Sequence, residues 1–162
     1  MKRISLIPIV MLSVATLALS QKALDNNKVA SHLFAGTWKA NVAKSQRDPN
    51  HQFESLRLRF EFLEDVVLLT YTGVNAAGKE EGGTRKLYPD GKDHAVAGAD
   101  GFVKVTKWLG PRLLESVGMK DGKVVGQSTY EVSSNGKILT AKVKSIDARG
   151  RRFEQAIIFD RE

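Results

Sequence analysis

The sequence predicts an all-β domain: an antiparallel up-and-down meander of eight to ten strands closed into a barrel, with a short helical turn ahead of it. Three observations carry this reading. From Ala30 onward, short segments alternate apolar and polar residues, the period-two pattern of strands with one buried face. Turn dipeptides punctuate those segments: Ala77-Gly78, Asp90-Gly91, Gly110-Pro111, Asp121-Gly122, Asn135-Gly136 and Arg149-Gly150. Asp-Gly and Asn-Gly favour type I′ turns whose twist matches a hairpin, so these dipeptides are expected to be hairpin joints. Gaps of about a dozen residues between joints leave no room for the crossover helices that parallel strands need. A meander of many strands must dispose of its two edges, and closure does so most completely.

The elements follow in order. Met1-Lys2-Arg3 is a positive n-region, Ile4 to Leu17 an apolar stretch broken by Pro8, and Ala18-Leu19-Ser20 a small-x-small site before Gln21. This is the grammar of a signal peptide cleaved after Ser20, which implies a periplasmic or secreted protein. Its apolar stretch is shorter than the roughly 20 residues that a bilayer span requires. Residues 21–30 read as a flexible polar arm and residues 31–162 as one barrel domain. A helical turn is expected at 29–34, then strands near 37–43, 53–63, 66–74, 79–88, 101–109, 112–120, 123–133, 138–147 and 151–160, with a short doubtful one near 93–97. Eight strands would leave little room beyond side chains or one small ligand, and ten would open a larger interior.

Registers follow from the turns, because a slip of one residue turns a strand inside out. Glu64-Asp65 as a two-residue turn sets Phe62 against Val67, Phe60 against Leu69 and Leu58 against Tyr71, with Arg57, Arg59 and Glu61 on the other side. Asn135-Gly136 sets Val132, Tyr130 and Ser128 against Leu139, Ala141 and Val143. A three-residue loop with Gly150 in the left-handed position brings Phe153, Gln155, Ile157 and Phe159 to the same face. Carrying that face back across Asp121-Gly122 and Gly110-Pro111 brings in Met119, Val117, Glu115 and Leu113, then Trp108, Thr106, Lys104 and Phe102.

The last step makes the inner face partly polar. Thr106, Glu115 and Ser128 would share one row, with Trp108 and Tyr130 in the next and Lys104 diagonal to Glu115. An unpaired buried carboxylate costs several kcal/mol, so Glu115 needs a partner. One reading makes it the polar anchor of a ligand whose apolar body rests on Phe60, Tyr71, Trp108 and Tyr130. The other readings are a self-contained Lys104–Glu115 pair with hydroxyls beside it, or a slipped register that leaves Glu115 in solvent.

Composition and spacing narrow the function. With no cysteine among 162 residues, disulfides, thiolate metal sites and cysteine nucleophiles are excluded. His32, His51 and His94 lie in separate segments without metal-ligand spacing, so no metal site is expected. There is no Gly-x-Ser-x-Gly elbow and no Gly-rich phosphate loop, and the acid pairs Glu80-Glu81 and Glu64-Asp65 are mere sequence neighbours. No catalytic residue and no cofactor are implied. The net charge of +7 is densest at Lys142, Lys144, Arg149, Arg151 and Arg152. Aromatic residues do not interleave with these bases, as a stacking platform for single strands would need, so nucleic acid is not an expected partner.

Phe34-Ala35-Gly36-Thr37-Trp38-Lys39, followed by Asn41 and Lys44-Ser45, resembles the Gly-x-Trp opening of lipocalins and related calycin barrels. It is also similar to the opening of small exported bacterial proteins of lipocalin-like type, a group without an assigned activity, in which Gly-Thr-Trp-Lys-x-Asn is followed by Asp-Gly-Lys turns. Here those are Asp90-Gly91-Lys92, Asp121-Gly122-Lys123 and the variant Asn135-Gly136-Lys137. The resemblance implies a barrel closed at one end by Gly36 and Trp38, with Trp38 under an arginine from near the C-terminus: Arg151, Arg152 or Arg161. The Thr-Asp-Tyr signature of typical lipocalins is absent, Thr129-Tyr130 being a partial echo.

Two functions are therefore expected. The first is an exported, monomeric, non-catalytic barrel binding a small, partly apolar or amphipathic molecule in its interior. The second is an interaction module with a packed barrel, contacting an anionic envelope component or a protein partner through its basic C-terminal hairpin.

Overall fold

The computed structural model describes residues 30–162; the expected leader, and all of the arm but its last residue, lie outside them. A helix, α1 (30–34), leads into β1 (Gly36–Ala40), and a single 3-10 turn (Val42–Lys44) follows. The remaining strands are β2 (Phe53–Leu63), β3 (Val66–Asn75), β4 (Glu80–Leu87), β5 (Asp90–Ala95), β6 (Phe102–Gly110), β7 (Leu113–Lys120), β8 (Lys123–Val132), β9 (Ile138–Ile146) and β10 (Arg152–Arg161). All ten form one antiparallel sheet in the order β4-β3-β2-β1-β10-β9-β8-β7-β6-β5. The sheet curls into a barrel. First and last strands pair, Trp38 with Arg161 and Ala40 with Phe159, so the sheet's two edges are β4 and β5 rather than the chain termini. These edges are joined in sequence but not by a hydrogen-bonded ladder, which leaves a seam in the wall.

Most strands fall where alternation and turns put them. The Glu64-Asp65 turn pairs Phe62 with Val67 and Phe60 with Leu69 as expected. The last two hairpins likewise pair Tyr130 with Ala141 and Ile157 with Ala141. The doubtful strand is real but begins earlier, at Asp90. Asp90-Gly91 is not a hairpin joint, because β4 and β5 do not pair; the Asp90 carboxylate instead accepts from the Lys92 backbone N–H at 2.9 Å in a local turn.

One strand is inverted relative to the sequence reading. The β7–β8 hairpin carries an extra residue, Val125, between the Met119–Val124 and Gly118–Gly126 pairs. A bulge of this kind shifts register by one, so Leu114, Ser116 and Gly118 face the interior and Glu115 faces out. A second bulge, at Leu109 between the Trp108–Leu114 and Gly110–Leu113 pairs, restores the parity for β6. Thr106 and Trp108 therefore face inward as expected, and the error is confined to β7.

The core is concentrated at one end. Trp38, Phe34, Phe60, Leu114, Val132, Leu139 and Phe159 are all at most 1% exposed there. Phe34 lies edge-on to Phe60 at 5.5 Å and to Trp108 at 5.3 Å, so α1 plugs this end through an aromatic cluster. The Trp38 indole N–H donates to the Phe34 carbonyl at 2.9 Å. Of the three candidate arginines it is Arg161 that covers Trp38, its guanidinium carbon 4.2 Å from the ring centroid. Arg161 also donates to the carbonyls of Gly136 (2.7 Å), Ala35 (2.9 Å) and Leu33. Gly36 has φ of +111°, a region that side-chain-bearing residues avoid, and this bend brings Ala35 under the guanidinium.

Candidate functional site

Above the aromatic plug the interior changes character. The row Trp108, Leu114, Tyr130, Ala141 and Ile157 is succeeded, one step toward the open end, by Thr106, Ser116, Ser128, Val143 and Gln155. Hydroxyls meet their needs locally: Thr106 donates to Ser116 Oγ at 3.1 Å, and Ser128 hydrogen-bonds the Tyr130 phenol. Gln155 presents a buried Oε1 with no partner among the described residues.

Over this polar row lies a cavity of about 450 Å³. Phe102 and Phe153 flank it, Tyr130 and Leu87 form its floor, and Arg85 and Lys104 stand at its side. Small residues keep it open: Gly118 and Gly126 pair across β7 and β8, and a Cβ on Gly118 would stand 2.8 Å from the Phe102 ring. A second cleft of about 460 Å³ opens along the seam between Thr84–Lys86 of β4 and His94–Ala95 of β5. Arg85, Lys104 and Val96 line both spaces. The seam cleft and the interior cavity thus adjoin one another, with two cations between them.

The electrostatics of that junction are one-sided. Arg85 packs its guanidinium over the Tyr71 ring at 5.2 Å and remains exposed, while Lys104 is half-buried. Among the described residues neither has a carboxylate within ion-pair distance. Burial, and then the charge of Arg85, lowers the Lys104 ammonium from its ordinary value. Burial raises the Tyr130 phenol, with Arg85 and the Ser128 hydrogen bond pulling the other way, so the phenol is held in its neutral, donating form. The nearby Asp90 is taken by His94, whose Nε2 is 2.9 Å from Asp90 Oδ1 and whose ring stacks on Tyr88 at 4.3 Å.

The structure redistributes the residues that the sequence grouped together. Lys104, Ser128 and Tyr130 line the cavity. Thr106 borders the seam cleft, and Tyr71 lies beneath Arg85. Phe60 and Trp108 belong to the aromatic plug, Phe60 lying edge-on to Tyr130 at 5.6 Å, and they reach the cavity only through that ring. Glu115 is on the outer face, where Lys107 Nζ approaches its Oε2 at 3.2 Å and Gln127 donates to its Oε1 at 2.8 Å. It does not pair with Lys104 or line the cavity, whose charged lining residues are basic instead.

Arg85 was missed because β4 carries Glu80, Glu81, Gly82, Gly83, Thr84, Arg85 and Lys86, in which neither face is apolar. The available signal was Leu87: counting back two from that buried residue puts Arg85 inside. Outside, the basic hairpin is partly neutralised, with Lys144 to Glu154 at 3.1 Å and Arg151 to Asp147 at 2.8 Å. His51 meets Asp48 at 2.9 Å and stacks on Phe153 at 3.8 Å. Among the described residues no three metal-ligating side chains converge.

No family model matches the chain, and no curated protein matches it. Solved structures do. The fluorescent protein UnaG (wild type) superposes with a TM-score of 0.54 at 16% identity, over 82% of this chain and 99% of that one. Rv2717c from M. tuberculosis superposes with a TM-score of 0.50 at 15% identity, over 93% and 99%. Zebrafish ileal bile acid-binding protein, solved with cholic acid, aligns at a TM-score of 0.45 and 13% identity, over 80% and 99%. The likeness to the first two is one of architecture, and the ten antiparallel strands form a calycin-like barrel.

Proposed function

We propose that the protein is an exported, non-catalytic barrel that binds one small, partly apolar molecule in its interior. The observation that carries this reading is the cavity of about 450 Å³ between the aromatic plug and the open end, a volume suited to a small ligand. Its floor and sides are mainly apolar, and a few polar groups converge on it: the Tyr130 phenol, the Ser116 and Ser128 hydroxyls and the Lys104 ammonium. That mixture suits a molecule with one apolar body and one polar end. The ion pairs on the basic hairpin weaken the rival reading, in which the outer surface does the work.

Titration with the neutral fluorescent amine N-phenyl-1-naphthylamine tests the reading. One probe per chain is expected, its emission blue-shifted, with binding lost in Ser128→Phe, which fills the cavity. The native chain failing to bind, or the filled variant binding equally well while folded by circular dichroism, would contradict it.

A further inference from the structure

Two cations on the inner face of a barrel are unusual when no acid answers them. Burying or crowding positive charge costs free energy, and proteins ordinarily neutralise it with a nearby carboxylate. Here Arg85 on β4 and Lys104 on β6 line the same cavity and the same seam cleft, yet neither has such a partner among the described residues. Acids are at hand but engaged elsewhere. Asp90 is held by His94 and the Lys92 backbone, Glu81 accepts from Asn75 Nδ2 at 2.7 Å, and Glu115 is on the far face of the sheet with Lys107.

Position adds a second, independent observation. Arg85 belongs to one edge strand of the sheet, and Lys104 lies directly opposite His94 of the other edge strand. Both line the interior cavity and the seam cleft, so they flank the gap between the β4 and β5 edges of the sheet. Unpaired edges are the weak point of a sheet. A group that accepts hydrogen bonds from both sides would join them. The neutral Tyr130 phenol below, together with Ser116 and Ser128, supplies further donors at the same depth.

We propose that Arg85 and Lys104 form an anion site spanning the β4–β5 seam, which takes the carboxylate or phosphate head of an amphipathic ligand and thereby joins the two open edges of the barrel. The ligand's apolar body then lies toward Phe102 and Phe153, above Tyr130 and Leu87. The guanidinium offers a planar fork for two oxygens, and the ammonium offers a point charge from the opposite side. This inference rests on the binding reading above and adds the sign of the ligand's charge, the residues that hold it and a mechanical consequence.

The test is calorimetric titration of the full chain with dodecanoate, dodecyl phosphate and dodecanol, paired with hydrogen exchange. At least one of the two anions is expected to bind about tenfold or more tightly than dodecanol, since charge-assisted hydrogen bonds form only with the anion. Whichever anion binds better identifies the head group. Arg85→Gln and Lys104→Gln are each expected to erase that preference, so that the anions bind no more tightly than dodecanol does to the same variant, with circular dichroism reporting that the variants are folded. Lys107→Gln, which removes the same charge from the outer face, should keep the preference. The preferred anion should slow exchange of amides in Glu80–Leu87 and Asp90–Ala95 in the native chain and not in the two variants. Equal binding of all three compounds would overturn the anion site while leaving the binding barrel standing. Binding of none would overturn both.

Discussion

Glu115 shows how much one side chain's direction decides. On the inner face it would have been a buried acid selecting positively charged ligands. Facing outward it is a surface partner of Lys107 and Gln127. Ion pairs of this kind contribute little, so Glu115→Gln is expected to change stability by less than about 1 kcal/mol and to leave affinity for dodecanoate unaltered, as measured by urea denaturation and calorimetry. Lys104 carries the interior charge, and its depressed pKa makes a pH-dependent claim. The folded state holds that proton less tightly than the unfolded chain, whose value is the ordinary 10.5. The penalty is therefore present in full below the folded-state value, shrinks as pH rises through it and is gone above 10.5. Lys104→Met is expected to stabilise the free protein most at neutral pH, with the gain over native diminishing as pH climbs toward 10.5 in a series of denaturation midpoints. Burial raises the Tyr130 phenol in native and variant alike, so its own pH dependence cancels in the comparison.

At the scale of elements, the sequence was legible wherever a turn alone set the register. The Glu64-Asp65, Asn135-Gly136 and Arg149-Gly150 joints placed Phe60, Tyr130 and Phe153 on the inner face, and the strands do pair that way. It failed at β7 because a bulge is invisible to alternation. Val125 lies in the run Lys123-Val124-Val125-Gly126, where consecutive valines leave either face acceptable, and the error cancelled only at the second bulge, Leu109. It failed at β4 for a different reason: that strand lines a seam open to water and carries no apolar face to read. The cavity straddles these two irregular stretches, which is why the sequence put Lys104, Ser128 and Tyr130 on the inner face but not Arg85 or Ser116. The Gly-x-Trp opening was the most informative local motif. It anticipated Trp38 in the closed end, and Arg161 proves to be the clasp that joins β10, the β9 approach at Gly136 and the end of α1. Arg161→Met removes three carbonyl contacts and the stacking on Trp38. It is expected to cost about 1–3 kcal/mol in urea denaturation, with α1 amides losing exchange protection before those of β8 and β9.

At the scale of the molecule, the two ends of the barrel divide the labour. The closed end has the helix plug, the aromatic cluster and the Arg161 clasp, with Trp38, Phe34 and Phe60 fully buried. The open end has glycines, hydroxyls, two cations and the seam, and it gives up packing in return for access. The most direct measurement of the central claim is a map of backbone amide shifts in a 15N-labelled sample on adding dodecanoate. The account predicts shifts concentrated at Arg85, Lys104, Ser116, Ser128 and Phe153, saturating at one equivalent, with Lys142, Arg149 and Arg151 unmoved. Shifts confined to the basic hairpin, with the inner face silent, would contradict it.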